Sequence, residues 1–184
     1  VNFFASNDWI KAEPHDGNYH QLVSPLQLEV LQHLYPDGSK VSKQQAIVQV
    51  RVFDEKRRAE TIAELSSEAE GIYFAVVDAG TLAPGSQPIA KVLRSNDDHL
   101  YFFAVAEHYA QAFKAGQFVE LEVGKNKARG KVHSVIRAVE QNSTNIGIQF
   151  EYPYDVAVLH PLARVGIKLS QKRSNNSAPS GEAR

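Results

Sequence analysis

The stretch Ser24–Val41, read SPLQLEVLQHLYPDGSKV, decides the fold because its pattern occurs a second time in the chain. A shift of 42 residues lays it over Ser66–Ala83, read SSEAEGIYFAVVDAGTLA, without a gap. Under this shift Val30 meets Ile72, and both belong to apolar runs. A repeat of this kind indicates a supersecondary unit that is used twice and buries one shared face.

Each repeat unit alternates apolar and polar residues, turns at a glycine and then resumes as a strand. The turns are predicted at Gly38 and Gly80, because glycine adopts the positive φ of a tight turn without steric cost. The strands resume at Ala46–Val50 and Ile89–Leu93. Since the second unit carries one more glycine, Gly85, we predict three structural turn glycines.

Composition and charge narrow the classes of function. The 184-residue chain has 20 Lys and Arg against 21 Asp and Glu, so its formal net charge is −1. This balance gives no global field that attracts nucleic acid, and we expect no nucleic-acid partner. The chain has no cysteine, which excludes disulfides, thiolate nucleophiles and cysteine-ligated zinc. The longest apolar runs, Ile72–Val77 and Leu100–Ala106, are far below the roughly 20 residues that span a bilayer.

The two ends of the chain carry separate predictions. The sequence begins at Val1 without methionine, and we expect residues 1–20 to lead in from a membrane anchor outside this chain. Within that lead-in, Trp9 and Ile10 are interpreted as a first strand, and Trp9 is either an interfacial anchor or a core residue. Residues 171–184 lack aromatic and branched apolar side chains, so we predict a disordered tail.

The pattern changes at residue 99. Leu100–Ala106 is strand-like, and Glu107–Lys114 is helix-like before a glycine that is typical of a helix end. Short alternating strands then dominate, and closing them into a small barrel removes exposed edges. These strands are predicted at Phe118–Val123, Arg129–Val139, Ile146–Tyr152 and Arg164–Leu169.

The two halves of the chain each resemble a module of one known family. Residues 22–50, LVSPLQLEVLQHLYPDGSKVSKQQAIVQV, and 71–92, GIYFAVVDAGTLAPGSQPIAKV, resemble the halves of a lipoyl- or biotinyl-type barrel-sandwich hybrid. The ordered segments KAGQFVELEV, ARGKVHSVIRAV, IGIQFEY and LHPLARVGIKL resemble the β-barrel domain of periplasmic adaptors, the membrane-fusion or hemolysin D secretion family. The resemblance implies a mostly β fold, with a barrel-sandwich hybrid at 21–95 and a small β-barrel with one short helix at 96–170.

The chain departs from this family in two places. Efflux and type I secretion adaptors carry a long helical hairpin between the sandwich halves, whereas only Arg51–Leu65 separates them here. We predict that Asp54–Glu64 is a solvated turn or a single helical turn. The family pattern L-x-P-G-M appears as LHPLA at Leu159–Ala163. A hairpin-less chain of this kind is similar to the periplasmic part of the alginate-polymerisation co-polymerases, in which a cytoplasmic PilZ domain binds cyclic di-GMP.

This similarity implies a non-catalytic scaffold in the periplasm, attached to the inner membrane through a segment outside this chain. The implied partners are a glycan synthase, periplasmic and outer-membrane secretion components, and further copies of the chain. Two alternatives stay open. One is an adaptor of a drug-efflux or type I protein-secretion pump. The other is a carbohydrate-binding or lipoyl-type carrier module, for which Lys56 is the candidate lysine, although it lies in a charge run without a neighbouring methionine.

Basic residues spaced by two form the candidate partner contact. Alternation places them on one side of a strand and its turn, and clustered cations attract anions even on a neutral protein. We interpret them as a contact for an anionic partner, such as a uronate polysaccharide or an acidic protein face. The alternative is a solvated turn. This set, called the basic row below, consists of Lys125, Lys127, Arg129 and Lys131.

No residue pattern indicates catalysis, a metal or a cofactor, and we expect a protein that is not an enzyme. The seven histidines form no H-x-x-x-H or H-E-x-x-H pair, and His133 alternates with valines on a predicted solvent face. Asn142–Gly147 resembles the PilZ nucleotide motif, but no Arg-x-x-x-Arg precedes it, so a polar turn is predicted. Glu120 and Glu122 share one strand face, which is typical of a solvated surface as well as of a glycosidase pair.

Overall fold

The computed structural model describes residues 9–151 and 155–170, which form strands joined by turns and short 3₁₀ helices. The start of the predicted lead-in and the predicted disordered tail lie outside the described residues. In these two ranges, no helix is long and apolar enough to cross a membrane. The strands are β1 (Ile10–Pro14), β2 (Tyr19–Val23), β3 (Leu28–His33), β4 (Lys40–Val41), β5 (Ala46–Asp54), β6 (Ala59–Ser66), β7 (Gly71–Ala75), β8 (Leu82–Ala83), β9 (Pro88–Arg94), β10 (Leu100–Ala106), β11 (Phe118–Val123), β12 (Asn126–Ala138), β13 (Ser143–Phe150) and β14 (Val165–Leu169). The 3₁₀ helices are Asp16–Asn18, Glu107–Ala112, Val139–Gln141 and Val156–Val158.

Strands β2 to β9 form a sandwich of two four-stranded sheets, with the strand orders β2-β9-β7-β4 and β6-β5-β3-β8. The sequence repeat is visible in this order, because a shift of 42 residues moves β4 (Lys40–Val41) onto β8 (Leu82–Ala83). The repeats exchange strands: β3 of the first pairs with β8 of the second, and β4 of the first pairs with β7 of the second. Neither repeat therefore completes a sheet without the other.

The core of the sandwich is built from alternating apolar side chains of both repeats. Val30, Val50 and Tyr73 have no solvent exposure. The half-buried ring of His33 forms hydrogen bonds beside these residues. Its Nδ1 is bonded to the Tyr73 hydroxyl, and its Nε2 lies 2.6 Å from the carbonyl oxygen of Val77. Because a carbonyl only accepts, this geometry assigns the proton to Nε2, and Nδ1 accepts from the tyrosine hydroxyl.

Two physical reasons for glycine occur among the predicted turn glycines. Gly38 and Gly80 have φ values of +88° and +85°, the region that glycine adopts without steric cost. At Gly85 the reason is space, since a Cβ atom there would lie 2.7 Å from the carbonyl oxygen of Pro25. The backbone of the second repeat at Gly85 thus packs closely against the backbone at the start of the first repeat.

The segment expected to be a turn or a helical turn is a β-hairpin, which corrects the sequence interpretation. Strand β5 continues to Asp54, strand β6 begins at Ala59, and the two pair in antiparallel register, with Val50 opposite Ala63. The reason is that the period-two alternation of apolar side chains extends through both strands, while Thr61 and Ile62 are β-branched and favour extended backbone. Only the residues between Asp54 and Ala59 form the turn.

The remaining strands form a closed barrel with the order β1-β10-β13-β12-β11-β14, in which β14 closes against β1. Its interior holds fully buried side chains, among them Phe103, Leu121 and Ile148. Within residues 1–20, β1 is a barrel strand whose Ile10 and Ala12 side chains are buried. The predicted fold class, mostly β with a barrel-sandwich hybrid followed by a small barrel, is confirmed.

The helix-like segment that follows β10 is a 3₁₀ helix at Glu107–Ala112, shorter than the predicted Glu107–Lys114. It ends where the backbone of Phe113 turns extended, with φ −105° and ψ 132°. The Phe113 side chain is buried in the barrel core, so packing of this ring takes precedence over another turn of helix.

Candidate interaction site

The basic row lies on the outer face of the barrel. Lys125 is in the turn between β11 and β12, and the other three members lie on β12 at alternate positions. All four side chains are exposed, whereas Gly130 and Val132, which precede and follow Lys131 on β12, are buried. The structure thus brings the four residues to one surface, at the positions where the sequence pattern placed them.

Acidic residues on β11 lie directly beside this row. Glu122 is opposite Lys127, and Glu120 is opposite both Arg129 on β12 and Lys168 on β14. Opposite charges at such cross-strand positions attract one another, so the centre of the row is partly compensated. Glu120 and Glu122 therefore serve as a charged outer surface of the barrel.

The sequence signal for this charge compensation is the tight turn between β11 and β12. The spacing of the basic residues alone does not reveal it. A two-residue turn at Gly124 and Lys125 joins β11 to β12, with Val123 opposite Asn126. Such a turn fixes the register of a hairpin, so Glu122 and Lys127 are necessarily neighbours. At the other end of the row, Lys131 places its Nζ 5.9 Å from the ring centroid of Phe118, an exposed aromatic residue.

Trp9 lies at the edge of an open cleft on the same barrel. The cleft has a volume of about 570 Å³, and its lining includes Lys11, Glu122 and Arg164. The indole packs against Gly166, and the Lys168 ammonium lies 5.7 Å from the indole ring centroid. With 38% of its surface exposed, Trp9 is neither a buried core residue nor a free side chain.

A junction of four residues connects the sandwich to the barrel: Tyr19, Phe74, Leu159 and His160. The Tyr19 hydroxyl donates a hydrogen bond of 2.7 Å to the carbonyl oxygen of Leu159, which has no solvent exposure. The His160 ring meets the Phe74 ring edge-on at 5.3 Å, and its Nε2 lies 3.6 Å from Oδ2 of Asp37. The first two residues of the LHPLA segment, which departs from the family pattern, thus contact the sandwich at this junction.

At the junction, one end of the sandwich joins the hydrophobic core of the barrel, whereas the interior of the sandwich is a separate cluster. Tyr19, Phe74 and Leu93 of the sandwich belong to the same buried cluster as the interior of the barrel. Burial raises the pKa of Tyr19 well above its usual value, and the nearby charge of Asp16 adds to this effect. The phenol therefore stays protonated and acts as a donor over the physiological range. Sequence reasoning missed this contact, since no local pattern links residues 140 positions apart.

The tip of the β5–β6 hairpin borders a second, larger groove of about 830 Å³. Arg51 lies within this groove. Its Nη1 is 3.0 Å from Oε2 of Glu29, and its Nε is 3.6 Å from Oε2 of Glu60. Three large apolar side chains of the lining are more than half exposed: Leu26, Phe53 and Leu82. The groove thus combines an apolar surface with a central ion-pair network.

The remaining sequence candidates are placed as follows. Lys56 is in the hairpin turn, where its backbone N–H donates to Asp54 Oδ1 at 2.9 Å. His133 is exposed beside a bulge in β12. Asn142 forms the turn before β13 with φ 49°. Across residues 9–151 and 155–170, no group of three or more His, Cys, Asp or Glu side chains is arranged to hold a metal ion.

The fold of this chain is similar to that of several solved structures. ZneB from Cupriavidus metallidurans has 11% sequence identity and a TM-score of 0.58, over 89% of this chain and 98% of that chain. A MacA-MexA chimeric protein containing the Pseudomonas aeruginosa MexA α-hairpin domain has 11% identity and a TM-score of 0.49, over 89% and 81%. The membrane fusion protein Spr0693 from Streptococcus pneumoniae R6 has 12% identity and a TM-score of 0.48, over 90% and 100%.

Neither a family model nor a curated protein matches the sequence of the chain. At 11% identity, the likeness to ZneB concerns the fold and extends over nearly the whole of both chains. The chain therefore shares with ZneB the arrangement of a sandwich of interleaved repeats followed by a closed barrel.

Proposed function

We propose that this chain is a non-catalytic adaptor module of a cell-envelope complex, located in the periplasm and attached to the inner membrane through a segment outside this chain. The observation that carries the proposal is the joining of two modules through a shared hydrophobic cluster at their junction, in the order that the adaptor resemblance predicted. A buried hydrophobic junction suits a scaffold, because such an interface limits the motion of the sandwich and the barrel relative to each other.

We propose further that the complex polymerises and secretes an exopolysaccharide of the alginate type. In support, the segment between the sandwich halves, Arg51–Leu65, lies within the hairpin of β5 and β6, whose strands have nine and eight residues. At about 3.3 Å per residue, such a hairpin reaches at most about 30 Å, which limits the module to nearby partners. The expected partners are a glycan synthase, periplasmic and outer-membrane secretion components, and further copies of the chain.

The basic row is our candidate contact for an anionic polysaccharide. Its end residues, Lys125 and Lys131, are not opposite an acidic residue in the strand register, so attraction to an anion is strongest there. Replacing the first three members by serine should weaken binding to a polyuronate about tenfold in low salt, since each lost cation removes a screened attraction. The matched control replaces Lys56, Arg57 and Arg58 of the hairpin turn, which changes the net charge equally. Equal losses in both variants, or no loss in either, would exclude a specific contact.

The adaptor role is tested in native envelopes with the full-length protein. A photo-crosslinking residue at Arg129 or Phe53 captures the partners of the barrel and of the sandwich, and mass spectrometry identifies them. Recovery of a glycan synthase and polysaccharide-secretion proteins supports the polymer scaffold. Recovery of a pump and an outer-membrane duct instead replaces it by the pump adaptor, and a lipoyl or biotinyl adduct on Lys56 in the intact mass replaces both by a carrier module.

A further inference from the structure

Strand β6 is an open edge of the sandwich. It is the terminal strand of its sheet and pairs with β5 alone in the part of the chain that the structure describes. Its eight residues extend over about 26 Å, and its first four residues are exposed on both faces of the sheet. An edge of this length presents a row of backbone donors and acceptors to any strand that comes beside it.

The outer face of this edge has an alternating pattern of charge. Glu60, Ile62 and Glu64 lie on it at every second position, opposite Phe53, Arg51 and Gln49 of β5. Arg51 is shared between Glu29 and Glu60, whereas Glu64 faces a neutral amide. At alternate positions along its outer face, the edge thus carries an acidic, an apolar and an acidic side chain.

Exposed apolar side chains lie on this edge and in the groove that begins beside it. Ile62 is 58% exposed, and Leu26, Phe53 and Leu82 of the adjoining groove are exposed to 59%, 54% and 58%. Leu82 lies on β8 at the opposite edge of the sheet, so the exposed apolar side chains next to an added strand are Ile62 of β6 and Phe53 of β5. Exposed large apolar side chains that lie together mark a surface for a protein partner. An added strand beside β6 covers Ile62 directly and extends the sheet.

The charge pattern selects among the strands that fit this edge. In an antiparallel pair of two β6 strands centred on Ile62, Glu60 of each copy lies opposite Glu64 of the other. Like charges directly opposite one another destabilise such a pair. We propose that β6 is a docking edge for an extended segment of a protein partner that carries basic, apolar and basic side chains at alternate positions. The main chain supplies the affinity and the alternate side chains supply the selectivity.

The test uses the full chain and three synthetic heptapeptides. The first is Thr-Lys-Thr-Val-Thr-Lys-Thr, the second has Glu at both Lys positions, and the third keeps the lysines but is N-methylated at alternate backbone amides. We expect the first peptide to bind at least about tenfold more tightly than the other two and to slow hydrogen exchange of the outward amides of β6. Exchanging both Glu60 and Glu64 for lysine should reverse the preference between the first two peptides. A thermal unfolding curve verifies that this variant is folded.

Three results would overturn the proposal. Equal binding of the N-methylated peptide means that charge alone holds the segment, without strand addition. A concentration-dependent dimer of the free protein with protected β6 amides assigns the edge to a second copy. Binding that leaves β6 unprotected, or the absence of binding, removes the docking edge altogether. The proposal needs only a protein partner, so it stands or fails independently of the exported polymer.

Discussion

The Tyr19 hydroxyl links the sandwich to the barrel through its hydrogen bond to the Leu159 carbonyl, and Tyr19→Phe removes this bond while it keeps the ring. The carbonyl oxygen is left buried without its donor, which costs about 1–3 kcal/mol of unfolding free energy. For a chain of this size, each kcal/mol lowers Tm by about 2–4 °C. The two modules should also lose cooperativity, because the bond spans the junction.

The assay uses the single tryptophan, which packs on the barrel, together with hydrogen exchange of β5 and β9 in the sandwich. In the native sequence both probes should report one urea transition, and in Tyr19→Phe the two midpoints should separate. Tyr73→Phe is the matched control, since it removes the hydroxyl of another buried tyrosine whose bond stays within the sandwich. A loss below about 0.5 kcal/mol in Tyr19→Phe, or an equal separation of midpoints in Tyr73→Phe, would refute the reasoning.

Two further predictions concern pH and backbone space. Burial raises the pKa values of Tyr19, Tyr73 and Tyr101, whereas tyrosines of the unfolded chain ionise near pH 10, so stability should be intact below pH 10 and fall above it. The expected slope in urea unfolding is about 1.4 kcal/mol per pH unit for each tyrosine, and phenylalanine variants should flatten it; an unchanged slope contradicts this account. A Cβ at Gly71 would lie 1.8 Å from the carbonyl oxygen of Leu93, so Gly71→Ala should separate β7 from β9 at a cost of about 1–3 kcal/mol or more. Gly80→Asn is the control, because a Cβ at Gly80 meets open space and asparagine tolerates the positive φ of this position. Similar urea midpoints for the two variants would show that the space at Gly71 does not limit stability.

The repeat and the barrel strands were predictable from sequence patterns. The repeat is visible when the chain is compared with itself, and the strands show a period-two alternation of apolar and polar residues. The period-two alternation in β11 and β12 placed the basic row on one face, and the 42-residue shift matched β4 with β8. The hairpin at β5 and β6 was missed because its charged residues were given more weight than the alternation beneath them. In a half-exposed strand, such charges occupy the solvent face and leave the inner pattern intact.

Sequence alone determined the strand-forming segments outside the β5–β6 hairpin, the twofold use of one unit, the order of the two modules and the charge of the outer barrel face. Each of these follows from spacing within a few residues or from comparison of the chain with itself. Only the tertiary structure decided that the repeats exchange strands, that the LHPLA segment packs on Tyr19 and Phe74, and that β6 has an open edge. These features depend on contacts between distant residues, and their free energy comes from burial and backbone pairing that exist only once the chain has closed on itself.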